Sequence, residues 1–354
     1  MKRLMLCAAI VGTALAVALS AAEALVRVFV PQDLGVLAPW YESHPVYRFR
    51  HYPNMDAVRS WGNTYRLRTN SHGIRADHDE AYESPLETRI VVHGDSLTLG
   101  VGVENEDTFV QRTQRRLQRK FHTIDVLNLG VSGHGPDQEY LLFREEGRKY
   151  SPRICVIAVC LTNDLDEAAW SRAAFRLQGD RLAYIPYKPP LSKKLADTAA
   201  YRWLANRSHL LVLARYTLVD TRIQAREVAA QATRAPPLPL ALAIYRDFIA
   251  AVRNERAVPV IVLLPSKEQI ARRRMLPTEE PLVSSVMLRD ALLQFCEANA
   301  VTCIDAVESF ARTNVPFDSL FIPGDDHFSA AGHQVIADDL EEPLEHILDS
   351  LGMQ

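Results

Sequence analysis

From residue 88 onward the chain alternates short apolar runs with charged, helix-like stretches, and this alternation restricts the fold more than any other feature. The runs Arg89–His93, Ile124–Leu129, Ile154–Leu161, Val258–Leu264 and Val301–Ile304 are short and rich in Val and Ile, as buried strands are. Helix-like segments cover about Glu106–Phe121, Asp137–Tyr150, Leu240–Arg256 and Pro281–Asn299. A last one begins near Ala330, where Pro343 predicts a kink or a split before Leu351. Strand–helix alternation implies parallel strands, right-handed crossovers and helices on both faces. The expected fold is therefore α/β: a flavodoxin-like three-layer α/β/α sandwich with a five-stranded parallel sheet, a helical insertion and an N-terminal hydrophobic helix. Ligands in such sheets bind beyond the carboxyl ends of the strands, where the strand order switches. Chemistry is thus expected in the loops that follow the runs.

Three segments precede or interrupt the alternation. Met1-Lys2-Arg3 leads into a 19-residue apolar run, Leu4–Ala22, broken only by small residues. A signal peptide has an apolar region of roughly 7–15 residues and a spanning helix needs ~20, so residues 1–28 read as a membrane anchor or a signal peptide. The basic start keeps the N-terminus cytoplasmic and sends the rest across. Residues 29–87 read as an extended leader packing on the core, with a strand or two near Thr64–Thr69 and turn chemistry at Asn70–Gly73. Residues 88–354 form the expected core domain, interrupted at 165–237 by an insertion with a helix-like stretch at Ala205–Ala232. A connection that long is usually functional or a subdomain.

Composition excludes several classes. A formal net charge of −3 gives no basic excess for nucleic acid. Arg112, Arg115, Arg116, Arg119 and Lys120 cluster, but on one amphipathic helix, which reads as a solvated face. None of the five cysteines shows metal-ligand spacing. Cys155 and Cys160 read as buried thiols, and Cys296 and Cys303 as a pair able to bridge under oxidising conditions. Gly100-Val101-Gly102 lacks the third glycine of a dinucleotide fingerprint, since Asn105 stands in its place. No metal or organic cofactor is expected, and oligomeric state is left open.

Four loops carry candidate chemistry. Gly94-Asp95-Ser96-Leu97 follows the first strand, and a serine becomes a nucleophile only where a neighbouring base takes its proton. Asn128-Leu129-Gly130-Val131-Ser132-Gly133 follows the second; glycine lets backbone approach a ligand closely. Leu161-Thr162-Asn163-Asp164 follows the third and offers a side-chain amide. Near the end, Gly324-Asp325-Asp326-His327 supplies an imidazole with carboxylates at hand, as a general base and its orienter require. His93, His134 and His333 read as packing groups. Trp40, Trp61, Trp170 and Trp203, in the leader and insertion, read as packing between those segments or as sugar-stacking surfaces.

In that order the four loops resemble the blocks of the SGNH/GDSL hydrolases over about residues 88–350. The leader, with Asn70 and Gly73-Ile74-Arg75, looks like that of membrane-tethered bacterial members. The resemblance implies Ser96 as nucleophile, His327 as general base, an oxyanion hole from the N–H groups of Ser96 and Gly133 with the Asn163 amide, and no cofactor. Two departures stand out. Gly324 occupies the family's usual acid position three before the histidine, so Asp325, in an Asp-x-His spacing, is expected to orient His327 in preference to Asp326. Leu161 stands where the third block usually has glycine, a substitution expected to narrow the pocket. The expected activity is hydrolysis of carboxylic, O-acyl esters in the bacterial cell envelope, on a small-molecule or glycan ester substrate. The protein would be anchored in the inner membrane facing the periplasm, or secreted if the signal is cleaved. Two alternatives remain: O-acetyl transfer to an envelope polysaccharide by the same residues, and a non-catalytic carbohydrate-binding or assembly module.

Overall fold

The long apolar runs become the strands of one parallel sheet because helices cover both faces and leave no polar side to alternate with. The computed structural model describes residues 1–83, 88–168, 173–220, 237–278 and 283–353. Contacts divide the chain into two compact units, Met1–Trp40 with Pro190–Ala232, and Tyr41–Pro189 with Thr233–Gln354.

The larger unit opens with two antiparallel hairpins, β1 (Tyr41–His44) with β2 (Arg48–His51) and β3 (Asp56–Trp61) with β4 (Asn63–Arg68). The central sheet follows: β5 (Thr88–Gly94), β6 (Ile124–Gly130), β7 (Ile154–Cys160), then, beyond the hairpin β8 (Phe175–Gln178)–β9 (Arg181–Tyr184), β10 (Val258–Leu264) and β11 (Thr302–Asp305). Its order is β11-β10-β7-β5-β6, all parallel. Strands β6 and β7 lie on opposite sides of β5, so the order switches beside the first strand. All seven residues of β7 are buried. The helices Phe109–Leu117, Ala306–Arg312 and Ala330–Ser350 pack together as one layer; Pro136–Glu145, Leu238–Asn254 and Val283–Ala298 form the other.

Several local expectations change. Helix Ala330–Ser350 runs unbroken through Pro343. A proline inside a helix costs about 3 kcal/mol, but Leu340, Leu344, Ile347 and Leu348 are buried around it, each worth about 1.5–3 kcal/mol. Of the stretch expected as one helix over Ala205–Ala232, Ala205 ends the helix Ala199–Ala205, and a new helix, His209–Arg215, starts at the Ser208 cap and runs on into a π-helical turn, Tyr216–Asp220; 221–236 lies outside the described residues. The insertion begins with the short helix Asp164–Glu167, and the β8–β9 hairpin follows it in the chain. Cys296 and Cys303 are free thiols, like Cys155 and Cys160. The basic cluster is neutralised by the last helix: Arg116 pairs with Asp338 and Glu341, and Lys120 with Asp349 at 2.7 Å.

In the smaller unit, helix Lys2–Phe29 leaves its apolar residues exposed and has the length and hydropathy of a membrane span. Near its end Glu23 accepts hydrogen bonds from Ser208 Oγ (2.7 Å) and from the N–H groups of His209 and Leu210 (both 3.0 Å), capping helix His209–Arg215.

Candidate active site

Strand β5 ends at Gly94, and Asp95 starts a one-turn helix, Ser96–Leu99, by accepting the Leu97 N–H at 2.9 Å. Ser96, the first helical residue, has no intrahelical acceptor for its N–H. The turn is held from below. Asn128 donates to Thr98 O at 2.9 Å. The leader's Arg75, fully buried, donates to Leu99 O (2.6 Å), Gly100 O (2.7 Å) and Val103 O (2.7 Å). Burial lowers the Arg75 guanidinium to about 10, which leaves it charged at neutral pH.

His327 reaches this turn from the loop before the last helix. Its Nε2 lies 2.9 Å from Ser96 Oγ, and its Nδ1 lies 2.5 Å from Asp325 Oδ1, which also accepts the His327 N–H at 2.8 Å. A carboxylate at Nδ1 fixes the tautomer: Nδ1 carries the proton and the Nε2 lone pair faces the serine. The other Asp325 oxygen accepts the Trp61 indole N–H at 2.8 Å. Burial pushes the Asp325 carboxyl up, but the bonds from His327 and Trp61 dominate and hold it at about 2. Asp326 meets Lys267 at 4.0 Å, and burial and then the neighbouring Glu268 raise its carboxyl. Of the two acids, Asp325 is the one that meets the imidazole.

Gly133 adopts φ +81°, a left-handed conformation that glycine takes without strain. Among the described residues no acceptor meets its N–H. Its loop is tied to the turn that carries Ser96, where Val131 N–H donates to Gly94 O at 3.0 Å. The Asn163 amide donates to Glu167 Oε1 at 3.1 Å and, at the long distance of 3.4 Å, to Asp95 Oδ2. Leu161 is buried in the hydrophobic core.

Behind Asn163 lies a set of buried acids that no sequence motif singles out. Asp137 is raised to about 7 by burial, against bonds from Ala174 and Gln138 N–H. Glu139 and Asp164 are pushed well above the carboxylate range by burial and then by their acidic neighbours. Asp164 accepts the Cys160 N–H at 3.0 Å and the Tyr245 hydroxyl at 3.1 Å. No group of these acids has metal-binding geometry among the described residues. The three other histidines are packing groups: His93 sits between Phe143 and Phe248, His134 bonds Phe49 O, and His333 accepts the Phe109 N–H. Burial lowers His93 and His333 to about 3. Trp170 lies outside the described residues.

Residues 92–335 match the sequence profile of the GDSL-like lipase/acylhydrolase family. The chain belongs to this family. As a member it is a carboxylic ester hydrolase. No curated protein is significantly similar to it in sequence. Among solved structures it is similar to a putative lipolytic protein of the G-D-S-L family from Desulfitobacterium hafniense, at 12% identity and TM-score 0.41, over 72% of this chain and 99% of that one. It is also similar to a lipase/acylhydrolase from Enterococcus faecalis (13%, TM-score 0.45, 73% and 96%). A third is a catalytic mutant of an acetylxylan esterase from Geobacillus stearothermophilus (13%, TM-score 0.43, 77% and 98%).

Proposed function

We propose that this GDSL hydrolase cleaves O-acyl esters in the cell envelope through an acyl-Ser96 intermediate. His327 Nε2 takes the Ser96 hydroxyl proton as Oγ attacks the ester carbonyl carbon. The resulting oxyanion is received by the N–H groups of Ser96 and Gly133 and by the Asn163 amide, whose long contact to Asp95 is the one given up. Collapse expels the alcohol, which leaves with the proton from His327, and the acyl group stays on Ser96. Water then repeats the sequence, delivering a proton to His327 and hydroxide to the carbonyl, and releases free acid. Asp325 stabilises the imidazolium at both stages. The observation that carries this reading is the unbroken chain from Asp325 Oδ1 to His327 to Ser96 Oγ, at 2.5 and 2.9 Å.

The test is reaction of the native protein with a fluorophosphonate, followed by mass spectrometry. An adduct on Ser96, lost in Ser96→Ala, is expected; an unlabelled protein, or an adduct elsewhere, refutes the assignment.

In this reading residues 88–354 are the catalytic domain, 29–87 a leader that packs on it and 1–28 a retained membrane anchor. Retention is supported by the helix Lys2–Phe29, whose length and hydropathy suit a membrane span better than the short apolar region of a cleaved signal. Intact-mass measurement of the protein extracted from membranes should give the full chain; a product beginning near Glu23 refutes retention.

A further inference from the structure

The geometry points to Trp61 as a positioning residue for the Asp325–His327 pair, which makes the leader hairpin part of the catalytic apparatus. This inference rests on the triad assigned above. Trp61 closes β3, and its position is set by the turn that follows. Gly62 has φ +67°, and a Cβ there would stand 2.2 Å from Ile322 Cγ2, so the β3–β4 turn lies hard against the segment that carries the base. Ile322 in turn bonds that loop through its N–H to His327 O at 2.9 Å. From this seat the Trp61 indole N–H donates to Asp325 Oδ2 at 2.8 Å, and its ring meets the His327 imidazole edge-on, with centroids 5.9 Å apart and planes at 79°.

Both bonds from His327 converge on Oδ1 of Asp325, so Oδ2 is free to turn unless something else holds it. Lys267, the nearest cation, donates to the Asp325 backbone carbonyl at 3.3 Å and not to the carboxylate. Trp61 supplies the missing constraint. An indole N–H only donates, so it fixes the plane of the carboxylate without offering a competing base. The edge-on ring blocks sideways rotation of the imidazole. Trp61 lies outside the matched family region, 92–335, so the leader carries this brace.

The test is Trp61→Phe in the full chain, which keeps an aromatic ring and removes the donor. A hydrogen bond to a charged group is worth roughly tenfold in rate when its effect falls on the transition state. The expected result is a kcat about tenfold lower with KM nearly unchanged. Repeated in an Asp325→Asn background, the same substitution is expected to cost almost nothing further, read as turnover or as the fluorophosphonate labelling rate. Wild-type kcat in Trp61→Phe, or an equal loss in both backgrounds, overturns the proposal. Should Trp61→Phe fail to fold, Asp325→Asn alone decides: the Trp61 indole N–H resonance must move relative to the wild type, and an unmoved resonance overturns it. Failure of the triad itself reads differently, as full activity in Ser96→Ala whatever Trp61 does.

Discussion

Arg75 offers the sharpest test of how the nucleophile is held. Its guanidinium spans three carbonyls at 2.6–2.7 Å around the turn that presents Ser96. Replacement by methionine leaves Gly100 O with a second donor, Val103 N–H at 3.3 Å. Leu99 O and Val103 O lose the donor each has among the described residues. A buried carbonyl left unpaired costs about 1–3 kcal/mol, so the pair costs ~2–6 kcal/mol. Relief of the desolvation of a guanidinium with no carboxylate in contact offsets part of this, leaving a net loss of about 3 kcal/mol. At ~2–4 °C per kcal/mol for a domain of this size, calorimetry of the full chain should show Tm lowered by ~6–12 °C. Arg75→Lys should fall between, because one ammonium cannot span three carbonyls. Activity measured well below the transition should drop as well, since the turn carrying Ser96 loses its brace. A methionine variant melting within about 2 °C of the wild type would refute this account of the clamp.

Three other outcomes follow. Ser96→Ala should lose about 10⁴–10⁶ in kcat and Asn163→Ala roughly 10²–10³; equal, mild losses in ester hydrolysis contradict the roles. Asp325→Asn should cost about 10⁴ in kcat while Asp326→Asn stays near wild type, and steady-state kinetics showing the reverse would exchange the two acids. Asp137, at about 7 when folded against 3.8 when not, binds a proton in the native state that the unfolded chain has released. Its penalty therefore grows as pH rises from 3.8 through about 7. The buried His93 and His333 act in the opposite sense below 6.5, so the informative quantity is a difference. Asp137→Asn should gain stability relative to wild type between about pH 5 and pH 8 in paired thermal melts; a constant difference would sink the idea.

The sheet was legible because its strands are buried on both faces, so β5, β7 and β10 read as nearly unbroken apolar runs. The loops of the site were legible because Ser96, Gly133 and Asn163 each follow a strand's carboxyl end. What escaped depends on distant partners. Arg75 stands in the leader with no role to read until the three carbonyls around it are known, and Trp61 reads as packing until Asp325 lies beside it. The hairpins β1–β2 and β8–β9 are four residues a strand, too short for a clear alternation. Asp137, Glu139 and Glu167 look like ordinary acids of helix first turns, and only the fold gathers them. The passage of the last helix through Pro343 follows from packing against the core, which no local rule contains.

Ser96 and His327 stand 231 positions apart, one at the end of the first core strand and the other just before the last helix. A chain emerging from the ribosome therefore exposes its serine long before the imidazole exists to activate it. Any product that stops short of Asp325, through stalling or proteolysis, carries a hydroxyl as inert as that of any other serine. In the proposed mechanism, hydrolytic competence therefore waits until residues 325–327 have been made and folded against Ser96.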